Sequence, residues 1–320
     1  MAGQEQTVFR RSRFSRLLQT IWPEPACCCI ACAAGGHVSF GAGFELMSEG
    51  VRRRALWIER ADLDGWMPPW VRRQSTARYR WASRYVRGRC VLDAACGTGY
   101  GSLLLRIQGA ARLVIGMDLE PESVQTAAER TRKTDGVRFC RGDVLALPFD
   151  SGSFDVYVSF ETIEHVPDPR RLLEEAWRIL RPGGRLLLST PNRLVTNPGL
   201  SADGRPLNPF HVREFAPEEL EELLGTRWSR VELWGMSLFP AAYLRLLNAC
   251  PAGWHRVTAR LNQAIKLPLE LLRTYPSARP TRCAAIDARR AEYLLLTCVK
   301  PRQHAAGGET VRPSRPRIAA

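Results

Sequence analysis

Across 320 residues no apolar run approaches the ~18 residues that a membrane-spanning helix requires, so a soluble or peripheral chain is expected. Lysine is nearly absent: 43 of the 46 basic side chains are Arg, which fits a GC-rich genome and a basic surface. Disulfide patterning is missing too. Ten cysteines are present, but Cys90, Cys96, Cys140 and Cys298 fall in apolar runs or in a glycine-rich turn, where a small apolar side chain suits the packing. A reducing cytoplasm is therefore the expected compartment. Cys29-x-x-Cys32 lacks the second ligand pair that a metal site needs. The glycines at 97, 99 and 101 do not satisfy the G-x-G-x-x-G of a dinucleotide site, and no P-loop Lys-Ser/Thr follows them.

What is present is organised around Cys90–Gly101. An apolar run that ends on Asp93, meets a glycine-rich turn and continues into the helical pattern Ser102 to Ile107 reads as strand, tight loop and helix. Glycines let the backbone approach a ligand closely, and the unbonded N–H groups of the helix start face that ligand. The next apolar run, Leu113 to Met117, ends on Asp118, nineteen residues past Gly99. A carboxylate at that strand tip can accept hydrogen bonds from both hydroxyls of a ribose. Val137 to Val144 supplies a third strand with a third acid, Asp143. Phe154 to Phe160 and Leu180 to Pro191 read as strands four and five, the latter preceded by Arg181-Pro182-Gly183-Gly184.

These five motifs, in order over residues 89 to 192, resemble the class I S-adenosylmethionine-dependent methyltransferases with a type 11/12 domain. The resemblance implies an α/β fold: a Rossmann-like, seven-stranded, mostly parallel sheet with helices on both faces. It also implies S-adenosyl-L-methionine (SAM) as cofactor. Asp93, Ala95, Gly97 and Gly99 would hold it at the first loop, Asp118 and Leu119 at the ribose, Asp143 and Val144 at the adenine, and Phe160 at the end of strand four. In the family the last two strands form an antiparallel hairpin at the sheet edge, here Trp228 to Trp234 and Glu292 to Val299.

Around that core, residues 1–46 read as a disordered or untranslated leader before a start at Met47. Residues 47–88 form an N-terminal lid region, in which a helix from Pro68 to Val86 places Trp70, Ala77, Trp81 and Tyr85 near one face and arginines on the others. From it Arg78 or Tyr79 would meet the methionine carboxylate. The SAM-binding core spans 89–235, with helices expected from Asp168 to Leu180 and from Pro217 to Leu224. A helical cap insertion punctuated by Pro251, Pro268 and Pro276 spans 236–290, too long for a hairpin loop. The final strand takes 291–300, and 301–320 is a polar, Pro/Gly-rich, disordered tail. Net charge is +8 over 1–89, −4 over 90–235 and +10 over 236–320, so the basicity lies outside the core. A basic amphipathic cap can pack on the core or lie on an anionic membrane.

The chemistry is expected after strand four, in Glu161-Thr162-Ile163-Glu164-His165. If this turn is helical, positions i, i+3 and i+4 share a face, and two carboxylates and an imidazole converge beside the transferable methyl group. His211, in Asn208-Pro209-Phe210-His211, is a fourth candidate. The set Glu161, Glu164, His165 and His211 resembles the metal site of small-RNA terminal 2′-O-methyltransferases, and it is also similar to bacterial methyltransferases associated with surface polysaccharides. It implies a divalent cation, Mg or Mn, gripping vicinal hydroxyls, with Glu161, His165 or His211 as the catalytic group. No RNA-binding module accompanies it, so nucleic acid is not the expected partner, and no Asn/Asp-Pro-Pro-Tyr/Phe follows strand four, which argues against amino methylation of nucleobases. The expected activity is O-methylation of a hydroxylated small molecule, sugar or glycan. Alternatives are a quinone, lipid or carbon methyltransferase, or a SAM-binding accessory protein without turnover.

Overall fold

The computed structural model describes residues 68–249, 254–271 and 275–302, all within the unit Trp57–Ala320. The leader expected over 1–46, residues 47–67 of the lid region and all but the first two residues of the tail lie outside the described residues.

Helix α1 spans Pro69–Ala82 and closes with a short 3-10 turn, Ser83–Tyr85. There follow β1 (Cys90–Ala94), α2 (Tyr100–Ile107), β2 (Leu113–Asp118), α3 (Pro121–Thr131), β3 (Val137–Arg141), β4 (Phe154–Phe160), α4 (Pro169–Ile179) and β5 (Leu180–Pro191). The short α5 (Arg193–Thr196) and α6 (Pro217–Leu224) lead to β6 (Ser229–Leu238). Helices α7 (Ala241–Asn248) and α8 (His255–Leu271), the two-residue β7 (Thr281–Arg282) and α9 (Ala285–Ala288) fill the insertion before β8 (Ala291–Val299).

The sheet order is β3-β2-β1-β4-β5-β8-β6-β7. Strands β1 to β5 are parallel, and β8 runs antiparallel between β5 and β6. The fold is therefore the mostly parallel, Rossmann-like α/β sheet expected, with one strand more: β7 pairs with β6 at only two positions, Trp234↔Arg282 and Gly235↔Thr281. A two-residue strand leaves no periodic signal in the sequence. The chain order reverses at β1, which has β2 on one side and β4 on the other, so the carboxyl ends of β1 and β4 form the topological switch point at which open α/β sheets bind ligands.

The central strands are apolar because both their faces are covered. One face packs Leu92, Met117, Phe154, Tyr157 and Leu188 against α4 and α6; the other packs Val91, Val114, Val158 and Leu187 against α1 and α2. The Arg181–Gly184 turn is drawn into β5 as a kink, with Gly183 at φ +82° and a register jump between Phe154 and Val156 on β4. Helix α4 accordingly stops at Ile179. Asp168 caps its start, accepting the Arg171 N–H at 2.9 Å. The five described cysteines are free thiols, and no helix among the described residues is long and apolar enough to cross a membrane.

Arg178 of α4 ties the β3–β4 connection to the helix. It donates to Phe149 O at 2.6 Å and Leu147 O at 2.9 Å, and pairs with Glu175, whose Oε2 accepts the Leu147 N–H at 2.8 Å. The Arg178 guanidinium holds the Glu175 carboxyl below its usual range. Arg178→Ala would leave Glu175 and two carbonyls without that partner, and a loss of roughly 2–3 kcal/mol is expected from the urea midpoint. An unchanged midpoint would mean that water replaces the guanidinium fully.

Two features of the periphery depart from the expected pattern. Helix α1 buries Gln74, Ser75 and Arg78 along with Tyr79, Trp81 and Ala82, so its inner face carries polar side chains beside the aromatic ones. Pro268 lies inside α8 instead of ending it, because the helix forfeits one backbone bond there and has only one further turn to run. The insertion is seated by polar groups. Asn262 donates to Val195 O at 2.6 Å and accepts from Tyr243 OH at 2.7 Å. Lys266 pairs with the buried Glu292 of β8, whose other oxygen accepts from Gln74 Nε2 at 2.7 Å and Tyr275 OH at 2.5 Å.

Candidate active site

The loop between β1 and α2 turns on three positive φ values, Ala95 (60°), Gly97 (54°) and Gly99 (78°). A side chain at 99 would meet Ala127 Cβ at 2.6 Å and the Phe139 ring at 2.9 Å, so glycine is needed there for close packing as well as for φ. At 101 a Cβ would lie 1.9 Å from Tyr79 Cζ. Tyr79 from α1 thus covers the loop at van der Waals contact, edge-on to Tyr100 and Phe160.

Each acid expected in the cradle has a defined place. Asp93 is fully buried, accepting from Ser102 Oγ at 2.6 Å and Tyr79 OH at 3.1 Å. Burial pushes its carboxyl up to about 7, with these two hydrogen bonds pulling the other way. Asp118 accepts the Gly97 N–H at 2.9 Å and the Glu120 N–H at 3.0 Å, joining the tip of β2 to the glycine loop. Asp143 is exposed and accepts the Leu145 N–H at 2.8 Å; its neighbour Val144 is buried, while Leu119 stands exposed at the rim. Arg130 of α3 is an addition that sequence reasoning missed. Its Nη1 donates to Thr98 O at 2.7 Å and Thr98 Oγ1 at 2.8 Å, pinning the loop from the far side. A lone arginine on an exposed helix carries no signal of that role.

Past Phe160 the chain does not become helical. Glu161 takes φ 52° and Glu161–His165 is a tight turn closed by the His165 N–H on Thr162 O at 3.0 Å. The two carboxylates are consequently directed differently. Glu161 accepts from Ser189 Oγ at 2.7 Å and pairs with Arg78 at 3.1 Å, and Arg78 in turn lies 4.4 Å over the Tyr293 ring. Burial pushes the Glu161 carboxyl up, opposed chiefly by Arg78. Of the two groups expected at the methionine carboxylate, the structure thus places Arg78 on Glu161 and Tyr79 on Asp93.

Glu164 is fully buried. Its Oε2 accepts from Thr190 Oγ1 at 2.9 Å, while Oε1 has no hydrogen-bond partner and lies 4.0 Å from His165 Nε2. Burial, and then the nearby Glu161 charge, push its carboxyl up to about 8. His211 is brought in by the chain itself, because Glu164 O accepts the Val212 and Arg213 N–H groups at 2.8 and 3.2 Å. The His165 and His211 rings meet edge to face, 4.8 Å between centroids.

Both imidazoles have their tautomer set by neighbours. Nδ1–H of His165 donates to Phe210 O at 3.0 Å, since a carbonyl can only accept. Nδ1–H of His211 donates to Glu214 Oε1 at 2.6 Å, and its Nε2 accepts from Asn208 Nδ2 at 2.9 Å. Glu214 is itself buried and held by Thr196 and Asn197, and with His211 these bonds keep its carboxyl below the usual range. His165, with Nδ1–H anchored on a carbonyl and Nε2 4.0 Å from Glu164 Oε1, is oriented as metal-ligating histidines are, whereas His211 Nε2 is engaged by Asn208 and would ligate only if that amide gave way. Glu164, His165 and His211 each offer one ligand atom within 4.8 Å of the others. Together with the orphaned Oε1, this donor set fits a divalent cation once the Asn208 amide is displaced from His211 Nε2. Glu161 stands apart from that cluster, held by Arg78 and Ser189. Glu214 and Asn208 were not read from the sequence, although Glu214 follows His211 by three residues in a segment already singled out.

Comparison with known proteins gives a family model described as a methyltransferase domain over residues 92–188. A "Probable S-adenosylmethionine-dependent methyltransferase" of Mycolicibacterium smegmatis is 44% identical over 184 residues, 58% of this chain and 68% of that protein. A ubiquinone biosynthesis O-methyltransferase of Coxiella burnetii is 33% identical over 109 residues, 34% of this chain and 46% of that protein. The chain thus spans about two thirds of the first relative's length and less than half of the second's. Among solved structures, a SAM-dependent methyltransferase from Thermotoga maritima aligns with TM-score 0.47 at 17% identity, covering 78% of this chain and 94% of that one.

Proposed function

As the chain belongs to the S-adenosylmethionine-dependent methyltransferases, we propose that it methylates a hydroxyl oxygen of a small molecule, sugar or glycan. The buried Glu164, facing two oriented imidazoles at the carboxyl end of β4, carries this reading. SAM itself binds in the crevice between β1 and β4, with Asp93, Ala95, Gly97 and Gly99 at the loop, Asp118 and Leu119 toward the ribose, Asp143 and Val144 toward the adenine, and Phe160 beneath. Tyr79 touches both Asp93 and Phe160, which brings the cradle beside the Glu161–His165 turn.

Methyl transfer is an in-line displacement at the sulfonium methyl: the C–S bond breaks as the C–O bond forms, and the hydroxyl proton must leave. The sulfur's positive charge supplies most of the drive, so the protein mainly aligns the acceptor and takes that proton. With Nδ1–H fixed on Phe210 O, His165 takes the proton at Nε2; the Glu214-bound His211 supports the same polarity. Glu161, steadied by Arg78 and Ser189, orients the acceptor hydroxyl. As the alternative to that base, a divalent cation, Mg or Mn, would be held by Glu164, His165 and His211; it would occupy the His165 Nε2 lone pair and would itself lower the pKa of a coordinated hydroxyl.

Calorimetric titration with SAM and then Mn tests this, comparing wild type with Glu164→Ala/His165→Ala/His211→Ala. Both proteins are expected to bind SAM, with the variant losing Mn affinity by about a hundredfold. SAM binding with no Mn uptake by wild type would remove the cation and with it the preference for vicinal diols. A second reading, a lipid-soluble phenolic acceptor of the quinone kind, is favoured by the relative named for ubiquinone biosynthesis, and peripheral membrane contact through the basic insertion suits it. SAM binding without release of S-adenosylhomocysteine across an acceptor screen would point instead to a non-catalytic accessory protein.

A further inference from the structure

The insertion's long helix carries a second surface that methyl transfer leaves unused. At the start of α8 and along it, Trp254, Val257, Leu261 and Ile265 are 56%, 47%, 61% and 37% exposed. Spacings of three, four and four residues place them on one stripe about 17 Å long. Trp254 belongs to it structurally, since its carbonyl accepts the Thr258 N–H at 3.0 Å. The other side of the helix is the buried one, with Thr258, Ala259, Asn262 and Lys266 packed inward and Asn262 and Lys266 bonded to Val195 O and Glu292.

The helix is therefore seated by its polar and small side chains and turns large apolar ones outward. That reverses the usual arrangement of a surface helix. Single exposed apolar residues are ordinary, whereas a contiguous row including a tryptophan marks a contact surface. Arg256 and Arg260 are exposed along one edge of the row, and residues 254–266 contain no acid. On the neighbouring α7, Leu246 is also exposed, next to the exposed Arg245.

We infer that this face of α8 rests on an anionic lipid surface. The four side chains enter the boundary between headgroups and acyl chains, and Arg256 and Arg260 meet the lipid phosphates. Charge decides between this partner and a second copy of the chain. A twofold contact through the stripe would bring one pair of arginines toward another, with no acid in the segment to receive them, while anionic headgroups supply the missing charge. Lipid binding does not depend on which acceptor is methylated, so its failure and the failure of the proposed O-methylation are separate results.

The test is sedimentation of the full chain with vesicles of phosphatidylcholine alone or with added phosphatidylglycerol. Wild type is expected to sediment with the anionic vesicles and to be released by salt. Val257→Ser/Leu261→Ser should weaken this by about tenfold or more. Arg256→Gln/Arg260→Gln should lose the anionic preference, about fivefold per charge. Unchanged SAM affinity verifies that both variants are folded. Wild type that ignores anionic vesicles, or a serine variant that sediments like wild type, overturns the inference. So does concentration-dependent dimerisation without vesicle binding that the serine variant disperses, which would assign the stripe to a second copy.

Discussion

Glu164→Gln should lower methyl transfer by about a hundredfold or more while making the metal-free protein more stable at alkaline pH. The Glu164 carboxyl sits at about 8, raised first by burial and then by Glu161. A carboxyl whose folded pKa lies above its unfolded value contributes stability fully below that unfolded value, near pH 4.5, and this contribution is lost as pH rises through about 8. Above that pH the folded protein must keep a carboxylate in a dry site, with one oxygen unpartnered. Glutamine keeps the shape and the bond from Thr190 without the charge. The variant's advantage therefore builds from about pH 4.5, reaches roughly 2 kcal/mol by pH 6 and should gain roughly 2–3 kcal/mol more before levelling off above pH 8, read from urea midpoints in the presence of a chelator. Parallel pH profiles for the two proteins would mean that Glu164 is solvated in the unliganded fold. Acceptor-dependent release of S-adenosylhomocysteine reads the other half. A variant as active as wild type would remove Glu164 from the site.

Gly101→Ala is expected to be the most damaging single change to the cofactor cradle. Any Cβ at 101 would occupy the place of the Tyr79 ring, 1.9 Å from Cζ, and Tyr79 is held there by Asp93, Tyr100 and Phe160. The ring must leave, Asp93 loses a donor in a fully buried position, and α1 lifts from the loop. SAM affinity should drop by about a hundredfold. Tyr79→Phe, which keeps the ring and deletes only the hydroxyl, should cost about tenfold or less. Combining Gly101→Ala with Tyr79→Ala should recover part of the loss, because the added methyl then has room. If the double variant binds SAM no better than Gly101→Ala alone, the clash with Tyr79 is not the cause.

Gly101 also shows where sequence reading stops. The glycine itself was plain in the motif, but the motif explains glycines by the approach of a ligand, and at 101 it is a tyrosine from another helix that needs the space. Strands β1, β2 and β4 were legible because buried parallel strands are written as short apolar runs, the first two ending on Asp93 and Asp118. Arg78 was singled out for the methionine carboxylate, but its pairing with Glu161, the acid that makes its burial tolerable, was not read, because that acid lies more than eighty residues away in the chain. The Glu161–His165 segment was read as one helical face. Its positive φ at Glu161 separates the two carboxylates, and nothing in the residue type announces that conformation. His211 was found by its chemistry, while Glu214 and Asn208, which orient it, were not, because partners of a ligand follow from geometry and not from spacing. The strand β7 is too short to be written in a pattern at all.

The bond between Lys266 and Glu292 bears on how the chain folds. Glu292 is the second residue of β8, which lies between β5 and β6, and it is bonded at once to α8 of the insertion, to Gln74 of α1 and to Tyr275. If α8 detached alone, a carboxylate inside the sheet would lose its cation. Partial opening of the insertion therefore carries a charge penalty that unfolding of the whole sheet does not carry separately. Although it interrupts the sequence between β6 and β8, the insertion is expected to open and close together with the sheet as one cooperative unit.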